Sequence, residues 1–394
     1  MGDVAVTALG GRTPLEAATT PGFDRIASQG RVGRLQTIYR NLPIGSIVAN
    51  LGLLGYNPHE HYPSGRASFE ALGQGIEVGP EDLVFRCNLI AVCDGKIADF
   101  TAGSIEDGMA RSALGALDFD FGGLEVEMYP GMSYRNLLVV RGAKLSADEI
   151  VCYEPHTSIG EPYLPLLPQG KTRRARLLME PLRKALVESV EQLERANREL
   201  GSKADMIWLW SPSSPPTLPS FRDCFGVTGA VVCAMDFLKG IAVAAGLSTS
   251  HIPDANAYID TNYRGKLVRA MEYIEGHDFV LVHVNAPDEE AHKRDVAGKI
   301  RAIELLDGEI VSPLLRHLDD RFPDNYRIAV TADHYTLLSD GTHTAHPVPL
   351  AWAGTAVEPD SATRFTEAEA GRHDSEQLSR SFEFLPRFLA GSWK

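Results

Sequence analysis

The run from residue 277 to residue 332 limits the possible folds more than any other part of the chain. "HDFVLVHV" (277–284) and "YRIAVTA" (326–332) are short β-rich stretches, and "AGKIRAIELLDGEIVSPLLRHL" between them repeats Ile and Leu at helical spacing. Strand, helix, strand implies a parallel sheet covered by helices. In such sheets ligands collect beyond the carboxyl ends of the strands. Asp288 follows the first strand by four residues and Asp333 follows the second by one, so both carboxylates are expected on that edge.

The middle of the chain has a different pattern. "FRCNLIAVCDGKIADFTAG" and "SYRNLLVVRG" read as strands of another sheet, and residues 171–200 form a long amphipathic helix that ends before the Ser/Pro-rich joint "WSPSSPPTLPS" (210–220). At 394 residues the chain exceeds what one hydrophobic core usually holds. Residues 66–212 are therefore expected to be an inserted α+β domain, with 1–65 and 213–394 forming the main α/β domain.

Composition excludes several partners. A net charge of -14 argues against nucleic acid or an acidic membrane face, since both require a basic footprint. No stretch of eighteen apolar residues is present to span a bilayer. The start "MGDVAVTALGGRTPLEAA" lacks the basic and apolar segments of a secretory signal, so a cytoplasmic location is expected. Cys87, Cys93, Cys152, Cys224 and Cys233 form no CxxC pair and are expected to be reduced thiols.

"TADHYTLLSDGTHTAHPVP" (331–349) collects Asp333, His334, His343 and His346, in a chain with twelve histidines. "DEEAH" adds Asp288 and His292, one helical turn apart and on one face if a helix begins there. A single pair has a bland explanation, such as a helix cap. Two pairs at the carboxyl ends of successive strands, with His343 nearby, point instead to a divalent metal. Mixed carboxylate and imidazole donors suit manganese or zinc. In "NLPIGSIVANLGLLGYNP", Ser46 opens an apolar helix. It is either an N-cap or a nucleophile favoured by the helix dipole and a neighbouring metal.

Several stretches taken together, "ALGGRTPLEAATTPGFDRIASQG", "GSIVANLGLLGYNP", "GRASFEALGQGIEV", "FRCNLIAV", "DTNYRGK", "HVNAPDEEAHKRDVAGKIRAIELLD" and the Asp333–His343 segment, resemble the archaeal-type cofactor-independent phosphoglycerate mutases of the alkaline phosphatase superfamily. The likeness runs in order from about residue 8 to residue 350. It implies an alkaline-phosphatase-like core with a mostly parallel sheet covered by helices, an inserted cap that closes over the substrate, two divalent metals and no organic cofactor. Manganese is the implied metal, with zinc and magnesium as alternatives.

By the same resemblance Ser46 is the phosphorylated nucleophile. Asp288, His292 and His343 match the ligands of one metal, and Asp333, His334 and Ser46 those of the other. The implied substrate is a small anionic phosphate ester, and Arg66, Arg86, Arg135 and Lys266 are expected to bind its phosphate and carboxylate, Arg through its bidentate fork. The family opens on a strand ending in Asp-Gly, whose aspartate joins the serine-side metal. The present sequence begins inside that motif, so that ligand has no counterpart, and Asp3 is displaced from its place.

Other departures lie near the expected site. Ile47 replaces the usual acid after the serine. Ser211-Pro212-Ser213-Ser214 and Asp254-Ala255-Asn256-Ala257 replace glycine-bearing turns, and Lys293-Arg294 replaces small residues after His292. These changes are expected to reshape the substrate pocket, because glycine marks close approach of backbone to ligand. Three functions stay open on the sequence: interconversion of 3- and 2-phosphoglycerate, transfer or hydrolysis of another phosphate or phosphonate ester in a specialised biosynthetic pathway, and an inactive paralogue with a binding role.

Overall fold

The two strands that bracket the 277–332 run form as Phe279–Val282 and Arg327–Thr331, but they do not pair with each other. Phe279–Val282 runs parallel to Gly229–Val232, which runs parallel to Ser248–Thr249. Arg327–Thr331 pairs antiparallel with Val348–Gly354, whose other neighbour, Gly30–Leu35, is also antiparallel. The strands of the first unit, expected in a mostly parallel sheet, form one parallel and one antiparallel sheet of three strands each. The helical crossover carries the chain out of hydrogen-bonding reach of its starting strand. The return from 331 to 348 contains a small two-stranded hairpin and no helix, so it supplies no crossover of the kind that parallel neighbours use.

This computed structural model describes residues 1–373 and 380–391 of a mixed α/β chain. The chain divides into two units, Met1–Tyr62 with Leu218–Lys394, and Pro63–Thr217. In the first unit the crossover consists of the helix Val296–Leu306, a π-helical turn Asp307–Val311 and the helix Ser312–Arg321. Its apolar face buries Ile303, Ile310 and Leu315. Asp307 is buried and accepts the amides of Gly22 and Phe23 at 3.0 and 2.7 Å, which caps the start of the helix Pro21–Ser28. No helix among the described residues is long and apolar enough to cross a membrane.

In the second unit, antiparallel strands flank the long strand Leu83–Cys93. Alternation sends Leu83, Phe85, Cys87 and Leu89 into the main core, which the helix Arg173–Leu200 covers. Val84, on the opposite face, packs with Ala67 and Ala71 of the helix Ala67–Gly73. Arg86 shares that face by the same two-residue period. All five cysteines are free thiols.

Asp3 serves the amino-terminal segment and not the cation cluster. Its Oδ2 accepts from Lys299 Nζ at 2.7 Å and from the Leu338 amide at 3.2 Å, and the same ammonium donates to the carbonyls of Gly2 and Thr336. Both side chains are 1% exposed. Removing the carboxylate leaves a buried, unpaired ammonium, so Asp3→Ala is expected to destabilise the fold by about 3–5 kcal/mol. Urea denaturation checks this, and a change within error would make the pair incidental.

Candidate active site and metal centre

The helix Ala286–His292 begins four residues after the 279–282 strand and places Asp288 and His292 one turn apart on one face. His292 Nε2 lies 3.4 Å from Asp288 Oδ2. His343, carried in by the loop after the 327–331 strand, brings its Nε2 to 3.3 Å from Asp288 Oδ1 and 3.1 Å from His292 Nε2. One donor atom from each of the three residues lies within 4.8 Å of the others, which fits a shared divalent cation. The carbonyl of Gly341 accepts from His292 Nδ1 at 2.7 Å and so turns Nε2 inward as the ligating atom.

A second donor group adjoins the first. Ser46 Oγ is 3.0 Å from His334 Nε2, and Asp333 Oδ2 is 3.4 Å from the same nitrogen. The rings of His334 and His343 overlap with centroids 3.9 Å apart. The structure thus brings Ser46 from near the amino end together with Asp288, His292, Asp333, His334 and His343. Gly45 is the N-cap of the helix Ser46–Leu53, so Ser46, its first residue, does not occupy the capping position. Its hydroxyl is turned toward His334 instead.

Electrostatics hold both carboxylates of the cluster ionised. Burial alone would raise the Asp288 carboxyl, but hydrogen bonds from His292 and His343 outweigh it and hold the group well below the usual carboxylate range. Burial likewise opposes ionisation of Asp333, and the charges of His334 and His283 win, lowering it. Burial also lowers His334 and His283. His292 is pushed up to about 9, chiefly by its hydrogen bond to Asp288.

The proposed substrate cations separate into two places. In the second unit Glu70 accepts from Arg66 Nε at 2.7 Å and Arg86 Nε at 3.0 Å, and the charge of Arg135 also acts on it. Three guanidiniums thus act on one carboxylate. The sheet register explains the arrangement: Arg86 lies opposite Trp210 with its guanidinium 4.5 Å from the ring, and Arg135 lies opposite Asn88. Lys266, in the first unit, is wholly buried, with Nζ 3.4 Å from the His283 carbonyl and a pKa lowered to about 8 by that burial.

The family described as 2,3-bisphosphoglycerate-independent phosphoglycerate mutase matches residues 27–197. The enzyme of that name from Methanosarcina barkeri is 40% identical over 375 residues, which is 94% of this chain and 92% of the relative. The chain belongs to the 2,3-bisphosphoglycerate-independent phosphoglycerate mutases. A probable phosphoglycerate mutase of this kind from Geobacter sulfurreducens is 37% identical, covering 99% of this chain and 97% of its own. The solved cofactor-independent phosphoglycerate mutase from Thermoplasma acidophilum superposes with a TM-score of 0.67 at 27% identity, covering 100% of this chain and 97% of that one.

Against the family pattern, three altered turns keep a left-handed residue without glycine: Ser211 at φ 49°, Asp254 at 58° and Arg294 at 60°. A side chain in that region costs roughly 1–2 kcal/mol. The altered stretches therefore still contain turns of the kind glycine favours, now carrying side chains.

Thr336 and Glu70 escaped the sequence reading. Thr336 Oγ1 donates to Asp288 Oδ1 and lies 3.3 Å from His334 Nδ1, so it bridges the two donor groups. Its two-residue spacing from His334, in a short strand, was the available signal. Glu70 lies four residues after Arg66 on the same helix face, a spacing that suits an ion pair. His346, by contrast, pairs with Thr344 at 2.7 Å, stacks on Tyr335 and joins neither donor group.

In chelator-treated protein the His292 imidazole is expected to titrate near 9 and His334 below the ordinary value of 6.5. Since the folded pKa of His292 lies above the unfolded one, its pair with Asp288 stabilises the metal-free fold fully below about pH 6.5. That stabilisation fades as the pH climbs through about 9. Side-chain NMR titration of the histidines reads both values. A His292 midpoint near 6.5 would show that the Asp288 contact carries no charge.

Proposed function

We propose that the chain interconverts 3-phosphoglycerate and 2-phosphoglycerate through a phosphoserine at Ser46. The observation that carries this reading is the Ser46 hydroxyl, 3.0 Å from His334 Nε2 at the edge of a carboxylate and imidazole cluster. The fold reading that goes with it is an alkaline-phosphatase-like core with Pro63–Thr217 as the inserted cap.

In this proposal Asp288, His292 and His343 hold one divalent cation, and Asp333, His334 and Ser46 hold another. Two such cations, manganese first with zinc or magnesium as alternatives, supply Lewis-acid stabilisation of the attacking and leaving oxygens when bound. Ser46 Oγ attacks the phosphorus in line. The bond from phosphorus to the glycerate oxygen breaks, and glycerate stays bound and reorients. Its other hydroxyl oxygen then attacks the phosphoserine, and the bond to Ser46 Oγ breaks.

Phosphoryl transfer asks mainly for position and charge. Arg66, Arg86 and Arg135 supply the anion-binding charge of the inserted unit, and Arg86 is already oriented by Glu70 and Trp210. Lys266 contributes the fourth charge, from the His283 end of the 279–282 strand. Thr336 aligns Asp288 against His334.

Purified protein with Mn²⁺ and 3-phosphoglycerate is expected to turn over in an enolase-coupled assay. Ser46→Ala should lower kcat by at least about a thousandfold and leave the thermal transition in place. Silence with 3-phosphoglycerate, together with Ser46-dependent phosphate release from another ester, would reassign the substrate. Activity that survives Ser46→Ala would remove the nucleophile from the proposal.

Stripping metal with chelator should abolish turnover, and Mn²⁺ should restore it. Asp288→Asn is expected to weaken Mn²⁺ binding by at least about tenfold, since a ligand that orients two imidazoles loses its charge. Metal content by mass spectrometry after dialysis reads this directly, and unchanged occupancy would make the cluster structural.

A further inference from the structure

The helix that carries Asp288 and His292 ends in a conformation that its own sequence disfavours. Lys293 is the C-cap, the Arg294 amide donates to the Ala291 carbonyl at 2.9 Å, and the Asp295 amide donates to the Glu290 carbonyl at 2.9 Å. In a helix ending of this kind the residue in the place of Arg294 is left-handed and most often glycine. Arg294 adopts that conformation at φ 60°, with an exposed side chain that adds nothing to the core. Backbone strain beside a ligand-bearing helix directs attention to what the side chain does.

The side chain reaches the turn that leads to His343. Arg294 Nη2 donates to the Asp340 carbonyl at 3.1 Å. The next carbonyl, that of Gly341, accepts from His292 Nδ1 at 2.7 Å. Two successive carbonyls of the turn are therefore held by two side chains from one helix end. The turn lies close against that end: a Cβ on Gly341, at φ 74°, would stand 3.1 Å from the His292 carbonyl oxygen and 3.5 Å from the His292 Cα.

One peptide plane connects these contacts. The Asp340 carbonyl and the Gly341 amide belong to the same planar group. Arg294 holds its carbonyl end, and the Leu337 carbonyl accepts from its amide end at 2.7 Å. With both ends held, Gly341, by its nature the freest residue of the turn, has a defined direction for its own carbonyl. That carbonyl is the one that turns His292 Nε2 inward. Two residues farther on, His343 stands opposite Thr336 in the small hairpin, with its Nε2 3.1 Å from that of His292.

We propose that Arg294 is a positioning residue for the Asp288, His292 and His343 cation site. It acts through the 340–341 peptide, which sets the orientation of the His292 ring and the separation of His292 from His343. The inference deepens the phosphoryl-transfer reading and rests on it for the cation. Charge alone predicts the opposite effect, because a guanidinium repels a nearby dication and its removal would tighten binding. Lys293 supplies the comparison. It is an exposed cation at the same helix end, but its ammonium bonds to Glu290 Oε1 at 2.8 Å and stands 5.3 Å from the Tyr258 ring centre.

The test uses the full chain and three single variants, with Mn²⁺ affinity measured by calorimetric titration after chelator treatment. Arg294→Gly removes the tie and places the favoured residue in the left-handed position, so affinity is expected to fall about tenfold while the Tm of the metal-free protein stays level or rises. Arg294→Lys keeps one donor of similar reach and is expected to bind Mn²⁺ within about threefold of wild type. Lys293→Ala is expected to leave the affinity level or to tighten it. Hydrogen exchange of the Gly341 amide in the metal-free chain should be at least about tenfold faster in Arg294→Gly and unchanged in Lys293→Ala. Level or tighter binding in Arg294→Gly would overturn the proposal. So would a fall in Tm in step with the affinity, unchanged Gly341 exchange, or a loss in Arg294→Lys or Lys293→Ala as large as that in Arg294→Gly. A wild-type chain that binds no Mn²⁺ would remove the cation reading and this inference together, whereas wild-type binding that Arg294→Gly preserves would remove this inference alone.

Discussion

Two carboxylates and three imidazoles share one small, half-buried space, and the rest of the first unit is arranged to keep them there. Burial works against the ionised form of both Asp288 and Asp333. Close imidazole partners reverse that: His292 and His334 are neighbours in sequence of Asp288 and Asp333, and His343 and His283 come from farther along the chain. Separated from one another, the same side chains would titrate in their ordinary ranges and hold a cation weakly. The cluster and the fold are therefore coupled: the two strand ends, the 286–292 helix and the helix that starts at Ser46 must all meet to bring the side chains together.

Charge on the larger scale sets a second condition. A chain with a net charge of -14 repels a phosphorylated acid, so an anion site requires local compensation. The second unit gathers Arg66, Arg86 and Arg135 about Glu70, which is why they are proposed for that role. Glu70 is not simply a neutralising partner. It holds two guanidiniums whose mutual repulsion and burial would otherwise drive them apart, as the lowering of Arg86 to about 10 shows.

Much of this was legible before any coordinates. The DxxxH spacing meant one helical face, and the placement of Asp288 and Asp333 just past β-rich stretches meant one sheet edge. The choice between cap and nucleophile for Ser46 was not legible, because both use the same residue at the same helix position. His334 settles its environment, and His334 lies 288 positions away. Strand pairing was not legible for a related reason. Periodicity identifies a strand but not its neighbour, and the neighbour of Arg327–Thr331 proved to be the antiparallel Val348–Gly354.

Local order in the sequence determined the kinds of element, the donor residues and the family pattern that unites them, because helix spacing, strand alternation and ligand chemistry all act over a few residues. Tertiary structure alone decided which donor side chains lie together, that Asp3 anchors Lys299, that Lys266 belongs to a different unit from the three arginines, and that two sheet edges face each other across a cavity. Those outcomes depend on contacts between residues far apart in the chain, and no short-range pattern encodes the distance between them.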